Sequence, residues 1–236
     1  MEERSGAGDP IYRHERSAPG RVSGGDEALV AAISAHIARH YDEPDTVWHQ
    51  IVSEYVHVDI HVVAPKPRRP VYVLVTSGMS ERPMRGGCSA ELMLLLPPTW
   101  PAPGSPEFED ERGYWPYRLL QDLARLPHEF DTLLWSGHTV PNGDPPRPYA
   151  DGAGFSGALI APPVIAPEGF HTLQHDGREI RFFAVWPLYA DEMQIKLDEG
   201  TAKLAGLMDE ARLLEIVKVG RPSVAPQPRR GLFRRR

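Results

Sequence analysis

The stretch from Trp115 to Pro146 reads WPYRLLQDLARLPHEFDTLLWSGHTVPNGDPP and decides the fold of the chain. Proline is favoured at the first position of a helix, so Trp115 and Pro116 predict a helix start. Leucines at 119, 120 and 123 recur at helical spacing and give the segment one apolar face. Pro127 disfavours helical geometry in the residue before it. We therefore predict a helix from Trp115 to Leu126.

A short apolar strand, Thr132 to Trp135, is predicted after this helix and leads into the polar loop Ser136 to Pro146. Asn and Gly tolerate positive φ angles, and the prolines fix extended entry and exit. This loop is therefore expected to be rigid. Rigidity suits a purely architectural role and a recognition role equally well, because a preorganised surface loses less entropy on binding.

This stretch and four further blocks of the sequence resemble a known protein family. Together they are similar to bacterial members of the Suppressor of fused-like domain family, whose Gly-His-Thr-x-Pro-Asn-Gly-Asp-Pro-Pro loop is their most recognisable block. The similarity extends over about residues 26–211, and several co-linear blocks are more specific than one short motif. The four blocks are VHVDIHVVAP (Val56 to Pro65), VLVTSGMSERPM (Val73 to Met84), AELMLLLPPTWP (Ala90 to Pro101) and FFAVWPLYADEMQIKLDEG (Phe182 to Gly200).

The expected fold is an α+β domain with a mostly antiparallel sheet flanked by helices, which is the Suppressor of fused-like fold. Asp26 can cap a helix that runs to about Tyr41, and a third helix, after the one from Trp115, begins at Ala190 with a break at Gly200. Alternating and apolar runs between them predict the strands. We expect a flexible leader over residues 1–25, the domain over 26–220, and an Arg-rich disordered tail over 221–236.

Composition narrows the class of protein. The net charge is −6, and without the six arginines after Gly220 the remaining 20 basic residues are outnumbered by 32 acidic ones. An acidic body repels nucleic acid and attracts basic partners, so no specific nucleic-acid binding is expected. A single cysteine, Cys88, excludes an internal disulfide and fits a reducing compartment. With no signal-peptide pattern and no run long enough to span a membrane, a cytoplasmic protein is expected.

A cluster of metal-ligand residues lies in the first block. Alternation places His57, Asp59 and His61 on one side of a strand, where imidazoles and a carboxylate could bind a metal. Such residues diverge along a strand, so a tight site needs a further ligand, for which His49 or His138 is available. A polar, solvent-facing surface or a hydrogen-bonded strand explains these residues better, so no metal is expected.

The resemblance implies a non-enzymatic protein-binding domain without a cofactor. Bacterial relatives are associated with toxin systems as immunity proteins, so the expected partner is a cognate toxin, possessing a basic domain. His138 stands where the metazoan member has an acidic ligand-holding residue, so that member's ligand is not expected here. A metal-dependent hydrolase and a general interaction scaffold are the alternatives. The predicted partner-binding residues are Ser77, Met79, Trp135, His138, Pro141, Asn142 and Asp144.

Overall fold

A computed structural model describes residues 3–18, 24–49 and 55–226 of the chain. These residues form four α-helices and eight β-strands. The helices are α1 Glu27–His40, α2 Glu111–Glu129, α3 Ala190–Glu199 and α4 Thr201–Glu210. The strands are β1 Thr46–Trp48, β2 Asp59–Val63, β3 Tyr72–Ser77, β4 Ser89–Leu96, β5 Thr139–Pro141, β6 Gly157–Ala161, β7 Thr172–His175 and β8 Arg178–Leu188.

The described strands form one sheet in the order β1-β2-β3-β4-β8-β6-β5, with β7 paired to the first half of β8. All neighbouring pairs are antiparallel except β4 and β8, which run parallel. The predicted α+β class with a mostly antiparallel sheet is therefore confirmed. Asp176 and Gly177 form the tight turn between β7 and β8 with φ angles of 51° and 73°, as the Asp-Gly pair predicts.

Alternating side chains of the central strands bury two separate apolar layers, because successive residues of a strand point to opposite faces. On one face, Leu92 and Leu94 pack with Leu120 and Leu123 of α2. On the other face, α1 packs on Met93 and Leu95, among others. Helices α3 and α4 form a third cluster with Leu159 and Leu188 near the β5 edge. The sheet is thus covered on both sides.

Helix α2 differs from its predicted bounds. It begins four residues earlier, at Glu111, because the Asp110 carboxylate accepts a hydrogen bond from the Arg112 backbone N–H and caps the helix. It also continues through Pro127 to Glu129. Each proline removes one helical hydrogen bond but keeps a helical φ, and Pro116 and Pro127 are both buried, so packing holds the helix through them. The predicted end at Leu126 is wrong.

Other local predictions also need correction. Residues 132–135 are not a strand, whereas β5 forms inside the segment predicted to be only loop. The strand predicted from Tyr55 begins at Asp59. Of the strand predicted over 47–52, residues 50–52 lie outside the described residues. The break at Gly200 is confirmed, since it separates α3 from α4.

The two terminal segments contact the body where the structure describes them. Residues 3–18, which we name the N-terminal segment, donate hydrogen bonds from Ala7 N–H to the Leu197 carbonyl and from Ser17 N–H to the Glu129 carbonyl. Arg221, predicted as the first tail residue, instead forms a buried ion pair with Glu192. Its place in a disordered tail was therefore wrong, while residues 227–236 lie outside the described part. The leader and the domain boundaries stay predictions.

Candidate functional site

The turn from Asn142 to Arg147 stands at the free edge of the sheet, directly after β5. The Asn142 side-chain amide donates to the Arg147 carbonyl at 2.7 Å, and the Arg147 N–H donates back to the Asn142 carbonyl at 2.9 Å. The Asn142 N–H donates to Ser156 O at 2.8 Å, which anchors the turn to the strand beside it. One side chain and three hydrogen bonds thus hold the turn in shape, and we name residues 136–148 the edge loop.

The outer part of the edge loop is exposed. Pro141, Asp144, Pro145 and Pro146 all face solvent, and the Asp144 side chain is 84% accessible. The Asp144–Pro145 peptide bond is cis. These residues present a stiff, largely apolar ridge with one carboxylate on it, which is a surface that another protein can contact.

Trp135 and His138 lie further in and are half-buried. The Trp135 ring packs edge-on against Phe183, with centroids 4.8 Å apart. His138 Nδ1 accepts a hydrogen bond from the Trp135 backbone N–H at 3.4 Å, and the backbone N–H of His138 donates to the Trp135 carbonyl. Burial lowers the pKa of His138, opposed by a hydrogen bond to the Leu133 backbone. Both side chains therefore pack between the exposed part of the edge loop and the rest of the domain.

Ser77 and Met79 are buried and cannot offer side chains to a partner. Ser77 ends β3, and Met79 lies in the turn after it, which the Glu91 carboxylate holds by accepting hydrogen bonds from the backbone N–H groups of Gly78 and Ser80. The polar sequence had suggested exposed side chains here, and the partner-binding role of these two residues stays a prediction. Glu91, which is buried on strand β4, therefore positions this turn. That role was not predicted from the sequence.

The N-terminal segment lies against the edge loop. Arg13 forms an ion pair with Asp144 at 3.3 Å, and the Tyr12 ring is 6.5 Å from the His138 ring. His14 Nε2 is 3.2 Å from the hydroxyl of Thr132, just before Trp135. The segment has no periodic pattern from which this position could be predicted. A partner at the edge loop would also meet these side chains.

Acidic elements flank the edge loop on both sides. Residues 104–135, before the loop, contain seven acidic and three basic side chains, and residues 190–210 contain six and two. Arg118 of α2 donates to the Tyr149 carbonyl at 2.8 Å, and Thr201 of α4 donates to the Gly137 carbonyl at 3.2 Å. These contacts bring both acidic stretches to the two ends of the loop. Clustered like charge of this kind favours a cationic partner.

Two of the three predicted metal-ligand residues, His57 and Asp59, lie close together, and the third, His61, does not join them. His57 Nε2 lies 3.0 Å from one Asp59 carboxylate oxygen, and His49 Nδ1 lies 3.1 Å from the other. His61 is buried, with Nε2 3.0 Å from the Ser77 hydroxyl. Burial lowers the pKa of His61 to about 4. His49, one of the two further ligands considered, thus joins the cluster. Asp59 and His61 do not face solvent, and the hydrogen bond of His61 to Ser77 agrees with the other explanation, a hydrogen-bonded strand.

One large groove, of about 660 Å³, opens between the end of α1 and the turn at residues 66–69. Tyr41, Asp42 and Arg69 line it, and no residue of the edge loop or of the His-Asp cluster does. Within the described ranges, none of the helices has the length and apolar character needed to cross a membrane.

The fold and the edge loop define an α+β domain with one mixed sheet, helices on both faces and a preorganised loop at the sheet edge. The model of the family Suppressor of fused protein (SUFU) matches residues 54–222. The chain belongs to this family. No curated protein matches the sequence closely enough to count as a relative.

Solved structures are similar in fold. A SUFU homologue from Neisseria gonorrhoeae superposes with a TM-score of 0.66 at 18% identity, covering 85% of this chain and 98% of that one. The protein matched in a Sufu-Fu complex gives 0.58 at 14% identity, covering 88% of this chain and 93% of its own. Drosophila Suppressor of Fused gives 0.59 at 14% identity over 86% of this chain, which spans about half of that protein, 52%.

Proposed function

We propose that this chain is a non-enzymatic, protein-binding immunity protein, which binds a cognate toxin domain with a basic surface and neutralises it. The exposed edge loop between two acidic elements is the observation that carries the proposal. Its shape is fixed by hydrogen bonds before binding, so little entropy is lost on association. A related fold occurs in a Sufu-Fu complex, which supports protein binding as the mode of action.

The acidic surroundings favour one class of toxin. A nuclease must hold phosphate groups and therefore presents a basic surface. Opposed charges speed association and exclude unsuitable partners, and occlusion of the basic surface would block access of the nucleic acid. Pro141 and Asp144 are the contact residues of this proposal, while Trp135, His138 and Asn142 position the loop.

Co-expression of the chain with the products of neighbouring genes tests the proposal. A basic protein is expected to co-purify in a stoichiometric complex, and its toxicity is expected to be relieved by the chain. If a partner binds but its toxicity is unchanged, protein binding survives and the immunity role fails. If no product binds, both parts of the proposal are overturned.

A charge reversal then tests the edge loop. Asp144→Lys is expected to weaken the complex about tenfold, because a repulsive pair replaces an attractive one. Glu43→Lys is the matched control, since Glu43 is exposed, follows α1, and gives the same change in net charge. Titration calorimetry at two salt concentrations measures both. Equal affinities for Asp144→Lys, Glu43→Lys and the unaltered chain would place the contact elsewhere.

A further inference from the structure

Three potential metal ligands converge beside the β1–β2 corner of the sheet. His49 Nδ1, His57 Nε2 and the carboxylate oxygens of Asp59 include three ligand atoms that all lie within 4.8 Å of one another. Each histidine nitrogen lies 3.0–3.1 Å from a different oxygen of Asp59. The cluster lies outside the edge loop and plays no part in the proposed partner contact.

Strand pairing explains the convergence. Trp48 pairs with Ile60 across the antiparallel β1–β2 ladder, so the next residue, His49, stands opposite Asp59. His57 precedes Asp59 by two residues, and residues two apart in extended chain point to the same side. The backbone of His57 packs closely against Gly78, where a Cβ atom would lie only 1.8 Å from the His57 carbonyl oxygen.

The chemistry of the three groups matches a zinc-type ion. Zinc sites with three protein ligands use imidazole nitrogens and carboxylate oxygens and keep a fourth position open. Ligand bonds of about 2.0–2.1 Å in a tetrahedron place the ligand atoms about 3.3 Å apart. The nitrogen–oxygen separations of 3.0 and 3.1 Å are close to this value.

Burial and solvent access differ among the three groups. The Asp59 side chain is only 6% accessible, and its two carboxylate oxygens each lie against one of the histidines. The His49 side chain is 69% accessible, so the ion can enter from solvent and its fourth position can hold water. We propose that His49, His57 and Asp59 bind one divalent transition-metal ion of the zinc type. His61 is not a ligand in this proposal, since its Nε2 faces the Ser77 hydroxyl.

Zinc titration of the chelator-treated full chain at pH 7 tests the site directly. One equivalent of Zn²⁺ is expected to bind, and His49→Ala is expected to weaken binding more than about 100-fold, beyond the usual effect of removing an outer-shell partner. His171→Ala is the matched control, because His171 is also exposed but lies outside the cluster. It is expected to leave the affinity unchanged.

A second readout separates the site from a fold defect. Zn²⁺ is expected to raise the unfolding midpoint of the unaltered chain and of His171→Ala, but not that of His49→Ala, because only ligand binding to the native state stabilises it. Without metal the midpoint of His171→Ala should equal that of the unaltered chain. His49→Ala also removes a partner of the buried Asp59, so its zinc effect is measured against its own metal-free midpoint. Absence of stoichiometric binding overturns the proposal. So does binding that His49→Ala and His57→Ala leave unchanged, because the ion then lies at other histidines.

Discussion

Glu91 illustrates how one buried side chain shapes a surface turn. Its Oε1 atom accepts hydrogen bonds from the N–H groups of Gly78 and Ser80 and from the Ser80 hydroxyl, at 2.6–3.0 Å. Its Oε2 atom accepts one from the Thr76 hydroxyl at 2.6 Å. The side chain is fully buried. Three donors of the turn and one of strand β3 therefore depend on one carboxylate.

Removing this carboxylate is expected to destabilise the domain. Glu91→Ala leaves buried donors without acceptors and should lower the free energy of unfolding by about 3 kcal/mol. Glu91→Gln keeps an acceptor oxygen for the backbone donors and should cost less than half as much. Urea unfolding at pH 7 measures both variants. Equal losses would mean that the negative charge, and not the hydrogen-bonding geometry, is what the turn requires.

The same residue predicts a dependence of stability on pH. Burial raises the pKa of Glu91 above its ordinary 4.5, and the hydrogen bonds from Ser80 and Thr76 oppose this shift. A raised native pKa stabilises the fold fully below pH 4.5, and this contribution is lost as the pH rises through the native value. Glutamine does not titrate. The unfolding free energy of Glu91→Gln relative to the unaltered chain should therefore increase from pH 4.5 to 7.

At the scale of elements, two helical glycines differ in what surrounds them. Gly113 lies in the first turn of α2, where a Cβ atom would be 2.5 Å from the Glu107 carbonyl oxygen. Gly206 lies within α4, and no atom would come within 4 Å of an added Cβ. The first glycine allows close packing on the preceding 3₁₀ turn, Pro106–Phe108, whereas the second only weakens its helix.

Alanine at these two positions should have opposite effects. Gly113→Ala forces backbone atoms apart and should cost about 2 kcal/mol of unfolding free energy. Gly206→Ala should add about 0.5–1 kcal/mol, because alanine is the better helix former. Thermal and urea unfolding of both variants check the signs. Stabilisation by Gly113→Ala would contradict the close contact between α2 and the 3₁₀ turn.

The elements that sequence patterns predicted share strong local signals. Asp26 caps α1 through its side chain, and the apolar runs in β4 and β8 form central strands. Strand β7 was missed because its four residues, Thr172–His175, alternate only weakly between exposed and half-buried positions. The start of α2 depends on the Asp110 cap. The predicted start was too late because it relied on the more prominent Trp-Pro pair at 115 and 116.

The candidate sites depended more on long-range pairing. The polar turn sequence of the edge loop correctly indicated exposure at Pro141 and Asp144, whereas the same reasoning failed for Ser77, which Glu91 and its neighbours bury. His49 joins Asp59 only through strand register, which local spacing does not specify. Residue types thus predicted candidate site residues, but the strand register and the packing of the sheet determine which of them lie close together.

At the scale of the whole molecule, a buried ion pair closes the C-terminal segment onto the domain. Arg221 contacts both oxygens of Glu192 at 2.5 and 2.7 Å, and the two side chains are 8% and 0% accessible. The guanidinium also lies over the rings of Phe155 and Tyr189, 5.3 and 4.8 Å from their centroids. Arg221 was predicted to lie in a tail from the Arg-rich composition of the C-terminus. Its partner lies 29 residues earlier, and no local pattern indicates this pairing.

Breaking this pair from either side should be costly, because one charge would stay buried alone. Arg221→Ala and Glu192→Ala are each expected to lower the unfolding free energy by about 3–4 kcal/mol. The double variant Arg221→Ala with Glu192→Ala leaves no unpaired charge and should lose at least 1 kcal/mol less than the sum of the single losses. Urea unfolding of all four proteins measures this coupling. Additive losses would show that packing on Phe155 and Tyr189, and not the ion pair, anchors the segment.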